Sequence, residues 1–203
     1  MRGMNVEGFA AYLRRKAGIR ATELVMAPTI VARLMGDGAL GLAPGLASAA
    51  CLTAMGGRHV ILLREFSHDS NFDIMHECAH WALRVVWGRP SDDTERNANA
   101  LAAAILAPPQ LLLSAHRKHR SLQAMSNELM LSQTATFLRL GEVLRDERAV
   151  VTRSGNVLVR TQGAFPWASV PVVDVARGRR WPGLSRAHLR GGIDDGRVAL
   201  RVG

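Results

Sequence analysis

Between Phe72 and Val86 the chain carries a run whose polarity makes sense on a helix. Asp73, His76, Glu77, His80 and Arg84 recur at i, i+3, i+4, i+7 and i+11, a single polar line at helical periodicity. Apolar residues flank that line on both sides, with Phe72, Met75, Ala79, Ala82 and Val86 on one flank and Ile74, Cys78, Trp81 and Val85 on the other. A helix apolar over so much of its circumference is a buried one, and it takes its imidazoles and carboxylate out of water with it. Buried titratable groups need partners. A divalent cation is the partner that two histidines one helical turn apart can share.

The segment His76-Glu77-Cys78-Ala79-His80 is an HExxH motif. Its spacing stacks His76 and His80 on one face as zinc ligands and sets Glu77 beside the ion without ligating it, the place of a general base. Hydrolytic zinc takes three protein ligands and keeps one position open, so a third ligand must come from elsewhere. Glu95 is the candidate: it stands early in the next predicted helix, whose alanine run, Ala100 to Ala104, allows close helix approach. Asn99, one turn further on, is expected to hold a ligand histidine through its second nitrogen. Asp73 either orients His76 or caps the helix, and capping is the more ordinary role.

Around this helix the pattern predicts helices over Val6 to Lys16, Pro28 to Met35, Ser70 to Val86 and Leu111 to Lys118. Another is expected after Ser91-Asp92-Asp93, read as its cap, ending before Pro108-Pro109. The glycines from Gly36 to Gly45 read as a loop, and residues 47–54 and 59–64 as a β-hairpin. Gln123 to Leu144 reads as helix, turn at Met130-Leu131-Ser132, then helix, a helix-turn-helix-like pattern. Val150 to Thr152 and Val157 to Val159 suggest a second hairpin, before a tail rich in Pro, Gly and Arg in which Trp167 and Trp181 read as packing anchors. Three regions are expected: a core over 1–120, a helical segment over 121–147 and a β-rich tail over 148–203.

Lys plus Arg outnumber Asp plus Glu by 26 to 17, a bias toward acidic partners. The densest cationic run is His116-Arg117-Lys118-His119-Arg120. Arg117, Lys118 and Arg120 are therefore candidate nucleic-acid contacts, with Ser132, Gln133 and Thr134 opening a recognition helix. Cys51 and Cys78 are the only cysteines and form no CxxC pair, which argues against a disulfide framework and fits a cytoplasmic setting. No signal-peptide or membrane-spanning run is legible, so no membrane partner is expected.

The segments FDIMHECAHWAL and TERNANALAAAILAPPQLL resemble the ImmA/IrrE family of metallopeptidases, whose pattern is HExxH followed by ExxAN and an AAxxLxP ending. The agreement covers roughly residues 20–145. LSQTATFLRLGEV is similar, more weakly, to the helix-turn-helix-like segment of that family. The resemblance implies His76, His80 and Glu95 as zinc ligands and Glu77 as catalytic base. It also implies, as substrate, a helix-turn-helix repressor of the Xre type that silences mobile-element or stress-response genes. Ala107 stands where the family commonly has Met or Leu. Asn97 stands where many members have a second Glu, which leaves Glu95 as the carboxylate of that stretch.

The expected whole is an α+β chain: a zincin-like core with a small antiparallel sheet beside the active-site helix, then the helix-turn-helix-like segment and the β-rich tail. Its expected activity is zinc-dependent endopeptidase cleavage. The competing reading is a regulatory DNA- or protein-binding module with a structural or inactive zinc site. For the oxyanion, His68, Arg84 and Arg96 are candidates, and Tyr12 is remote in sequence.

Overall fold

The computed structural model describes residues 5–46, 49–53, 57–64, 70–88, 90–119, 121–145, 148–152, 157–160, 184–186 and 197–202. The chain is α+β and divides into two compact units, Met1–Leu112 and Leu113–Gly203. The division falls inside a helix, Pro109–Lys118, close to the end of the core expected at residue 120.

In the first unit, α1 (Val6–Lys16) starts where the Asn5 side chain accepts a hydrogen bond from the Gly8 N–H at 3.0 Å. It buries Phe9, Ala10 and Leu13 at helical spacing. Helix α2 (Ala27–Met35) has no side-chain cap of its own at Met26. Its Ala27 N–H donates instead to Asn71 Oδ1 at 2.7 Å, so a buried amide ties the start of α2 to the helix that bears the histidines.

A three-stranded sheet follows, formed by β1 (Leu40–Leu42), β2 (Ala50–Thr53) and β3 (His59–Leu63) in the order β1-β3-β2. β2 and β3 pair antiparallel as the expected hairpin. β1 lies where a glycine loop was expected and pairs parallel to β3, so the sheet is mixed and not purely antiparallel. Gly41 eases this pairing, because a Cβ there would stand 3.0 Å from Leu62 Cδ2 and the Leu62 side chain would have to give way.

Helix α3 (Ser70–Trp81) continues as a π-helical turn over Ala82–Val86, closed by the Trp87 N–H on the Ala82 carbonyl at 2.8 Å. Ile74, Met75, Cys78, Ala79, Trp81 and Ala82 are buried, as the flanks of the polar line required; Phe72 and Val86 are half-buried, and the structure leaves Val85 half exposed. A 3₁₀ turn, Pro90–Asp92, leads into α4 (Glu95–Leu106). The cap of α4 is Thr94, whose hydroxyl accepts from the Asn97 N–H at 3.2 Å, and not one of the preceding three residues. Ala98, Ala102 and Ala104 are buried and small, letting α4 pack closely on α1 and α3.

Helix α5 (Pro109–Lys118) crosses into the second unit. That unit holds α6 (Leu122–Leu129) and α7 (Gln133–Leu144), separated by Met130 in the left-handed conformation at φ 53° and by Leu131 and Ser132. The helix-turn-helix outline is thus present. A four-stranded sheet completes the unit, from β4 (Arg148–Thr152), β5 (Val157–Arg160), β6 (Leu184–Arg186) and β7 (Arg197–Val202) in the order β5-β4-β7-β6. All its pairings are antiparallel, and β4 and β5 form the second expected hairpin. Trp167 and Trp181 lie outside the described residues. Among the described residues no single helix is long and apolar enough to cross a membrane.

Candidate metal centre

His76 and His80 lie one turn apart on α3, their rings edge to face with centroids 4.6 Å apart and Nε2 atoms 3.0 Å apart. Glu95, the first residue of α4, reaches both: one carboxylate oxygen lies 3.2 Å from His76 Nε2 and the other 3.3 Å from His80 Nε2. These three side chains form a group that could hold a metal ion. The histidines are largely buried, whereas the Glu95 side chain is 79% exposed, so the group opens to solvent on the Glu95 side.

The ring of His80 is fixed by Asp93, one of the three residues expected to cap α4. Its Nδ1–H donates to Asp93 Oδ1 at 2.5 Å, and the Asp93 side chain is only 6% exposed. That bond sets the tautomer, leaving the lone pair of Nε2 directed at His76 and Glu95. Burial pushes the Asp93 carboxyl up, but hydrogen bonds from His80 and Arg84, with their charges, outweigh it and hold it below its ordinary value. Asp93 is therefore an anion, which is what a metal-ligating imidazole needs behind it. Two lone pairs and a carboxylate gathered this closely repel one another unless a cation or protons sit among them, so the donor set fits a metal.

Asp93 is itself positioned from both sides. Arg84, projecting from the π-helical turn, donates to its second oxygen. Asn97 Nδ2 donates to the Asp92 carbonyl at 2.7 Å, and Trp87 Nε1 to Asp92 Oδ2 at 3.2 Å, which holds the 3₁₀ turn against the end of the helix. The Asn at 97, where the resembled family often has Glu, thus anchors the segment that bears Asp93. The signal that could have found Asp93 was its place two residues before the third ligand, since a ligand histidine commonly has a carboxylate on its other nitrogen.

Glu77 lies beside the group on the same helix. One of its oxygens accepts the Cys51 N–H of β2 at 2.8 Å, so the edge strand holds the carboxylate in place. Burial, with Glu77 nearby, pushes the Cys51 thiol up to about 11, so it stays protonated. Cys78 is fully buried, and its thiol is pushed up to about 12, as befits the core residue it was expected to be.

Other expected residues fall elsewhere. Asn99 is exposed on α4, and the ring-holding role expected of it is filled by Asp93. Asp73 is exposed in the first turn of α3, where its charge suits the helix N-terminus. It does not orient His76, whose Nδ1 is buried with no hydrogen-bond partner among the described residues. Of the oxyanion candidates, Arg84 is engaged by Asp93, Arg96 is exposed, and His68 lies outside the described residues. Tyr12 stacks on Phe9, with ring centroids 6.2 Å apart.

Arg117 is exposed, Lys118 is paired with Glu128 at 2.7 Å, and Arg120 lies outside the described residues. At the start of α7 the Ser132 hydroxyl is a cap, accepting from the Ala135 N–H at 3.1 Å. Gln133 and Arg139 are buried, so neither offers its polar group freely to a groove.

No family model matches the chain, and no curated protein matches it. Among solved structures, a Mycobacterium tuberculosis transcriptional regulator is similar, with a TM-score of 0.64 and 16% identity. The likeness covers 90% of this chain and 64% of the regulator, so the chain spans less than two thirds of that protein. At this identity the likeness is one of fold.

Proposed function

We propose that the chain is a zinc metallo-endopeptidase of the ImmA/IrrE kind, with a zincin-like core, whose substrate is a helix-turn-helix repressor. The observation that carries this reading is the convergence of His76, His80 and Glu95, with donor atoms 3.0, 3.2 and 3.3 Å apart. Two donors at zinc–ligand length on a tetrahedron sit roughly 3.3 Å apart, so the group is already close to the spacing that zinc asks for. When bound there, zinc lowers the pKa of water and polarises a carbonyl.

Within that frame the chain's own residues have separable tasks. Glu77, anchored by the Cys51 N–H, takes a proton from the attacking water and returns it to the departing amine. Asp93 keeps His80 in the tautomer that ligates. The exposed side of Glu95 gives a polypeptide access. The repressor as substrate rests on the family resemblance.

A second reading has its own support, since the structure similar in fold is a transcriptional regulator and α6 and α7 have a helix-turn-helix outline. In that reading the chain is a regulatory DNA- or protein-binding module and the metal is structural or idle. The comparison favours this second reading and the site geometry favours the first. Co-expression with an Xre-type repressor separates them: the wild type cleaves the repressor and Glu77→Gln, still loaded with zinc, does not. Equal cleavage by both would exclude Glu77 as the base. Cleavage by neither, together with a salt-sensitive shift of duplex DNA by the wild type, would establish the second reading.

A further inference from the structure

Away from the metal centre, the first unit contains a cleft of about 560 Å³ between the last turns of α1, the loop Gly18–Ala21 and the junction of α4 with α5. Its size falls within the range of small-molecule sites. Small and rigid residues leave the space open: Ala10 and Ala11 on α1, Ala104 on α4, and Pro108 and Pro109 at the junction, with Ile19 beside them. These give the cleft an apolar wall.

The polar groups on that wall are mostly cationic. Arg14 is 2% exposed and donates to three backbone carbonyls, those of Ile105 at 2.6 Å, Arg20 at 2.6 Å and Glu23 at 2.5 Å. Carbonyl dipoles solvate the guanidinium without neutralising it, and its Nε is buried with no partner among the described residues. Glu23 is the nearby acid: its charge acts on Arg14, and its carboxylate accepts the Arg20 N–H at 3.2 Å and lies 3.9 Å from the Arg20 guanidinium. Arg15 and Arg20 add two exposed guanidinium groups to the rim, against one carboxylate, Glu7.

Helix α5 also begins here. Gln110, in its first turn and on the cleft, has a backbone N–H with no intrahelical acceptor, and the positive end of the helix dipole adds to the guanidinium field. A cleft with apolar lining, two exposed guanidinium groups on its rim and a helix N-terminus matches one ligand chemistry, an apolar body with an anionic head.

We propose that this cleft binds a small organic acid, its apolar body against the accessible Ala11, Ala21 and Pro109 and its carboxylate taken by Arg15, Arg20 and the first turn of α5. The site is distinct from the metal centre. From Glu95 to Ala104 is roughly 14 Å along α4, so an occupant bears on the far end of the helix that supplies the third metal-binding side chain.

The test is calorimetric titration of the full chain with decanoate and, separately, with decanol, which has the same body and no charge. Decanoate is expected to bind at one site, and decanol at least about tenfold more weakly. Arg15→Glu with Arg20→Glu, both exposed, should weaken decanoate by at least about tenfold and leave decanol unchanged. Ala11→Phe, filling the cleft from the exposed face of α1, should weaken both. Circular dichroism of each variant checks that it is folded. Absence of saturable decanoate binding, equal affinity for the two probes, or folded variants that bind like the wild type would each overturn the proposal.

Discussion

Helices α3 and α7 each bury polar side chains along one face, His76 and His80 with half-buried Glu77 in the first and Gln133, Thr136 and Arg139 in the second. On α3 other elements bring matching groups to the same point: Glu95 from α4, Asp93 from the turn before it, and the Cys51 N–H from β2. On α7 the hydrogen bonds run to different points. Gln133 donates to Gln123, Arg139 donates to Glu142 at 3.2 Å, and the Thr136 hydroxyl has no partner among the described residues. Buried polarity on a helix therefore does not by itself mark a site. Convergence from separate elements does, because desolvated groups aimed at one point are tolerated only if something binds there.

The contrast is broken most directly at Glu77. Glu77→Gln keeps the shape and the Cys51 hydrogen bond while removing the base, so cleavage should fall by about 10²–10⁴-fold with zinc content unchanged. Metal analysis beside a cleavage assay reads both. Equivalent loss of zinc would mean that Glu77 is a ligand and that the division of roles is wrong.

Asp93 comes next in size. Asp93→Ala frees the His80 ring and should weaken zinc binding by about 10–100-fold. Competition against a chromogenic chelator measures this. Asp73→Ala and Asn99→Ala serve as controls, since both side chains are exposed. An effect at Asn99 equal to that at Asp93 would restore the role first expected of Asn99.

The difference between these residues also shows what was legible from the sequence. His76, Glu77 and His80 were readable because helical spacing alone fixes their neighbours, and Glu95 because a ligand set lacking its third member points to the next helix. Helical periodicity could not place Asp93, whose signal was only its nearness in sequence to Glu95. Asp93 lies in an irregular turn, and only the π-helical end of α3, the 3₁₀ turn and the Asn97 anchor bring it to His80. Periodicity carries no information about such backbone. The same holds for β1, hidden in a glycine-rich stretch whose pairing depends on a neighbour distant in the chain, Leu62. Both hairpins and the α6–α7 turn, by contrast, are set by adjacent residues and were found.

On the α7 side, Thr136→Val tests whether the buried polar line is structural residue and not site. The Thr136 side chain is fully buried with an unpartnered hydroxyl, so replacing it by a methyl of similar shape should raise stability by about 1 kcal/mol. Urea denaturation reads the change as a shift in midpoint at constant slope. A loss of stability would reveal a hydrogen bond to water or to a ligand at this position, and would bring α7 closer in kind to α3.

The smallest effect is expected at Glu128, the acid paired with Lys118 and His119 of the cationic run. Hydrogen bonds from Lys118 and His119 hold the Glu128 carboxyl below its ordinary value. A depressed carboxyl contributes stability that is fully present above its unfolded pKa of about 4.3 and is lost as pH falls through the lower folded value. Because the Lys118 side chain is 64% exposed, solvent screens the pair, and Glu128→Gln should cost less than about 1 kcal/mol near neutral pH. The gap between wild type and variant should narrow below about pH 4 and shrink with added salt. A gap that persisted in acid would mean that Glu128 acts through packing. It would then join Gln133 and Thr136 as structural polarity and leave Lys118 free to meet an acidic partner.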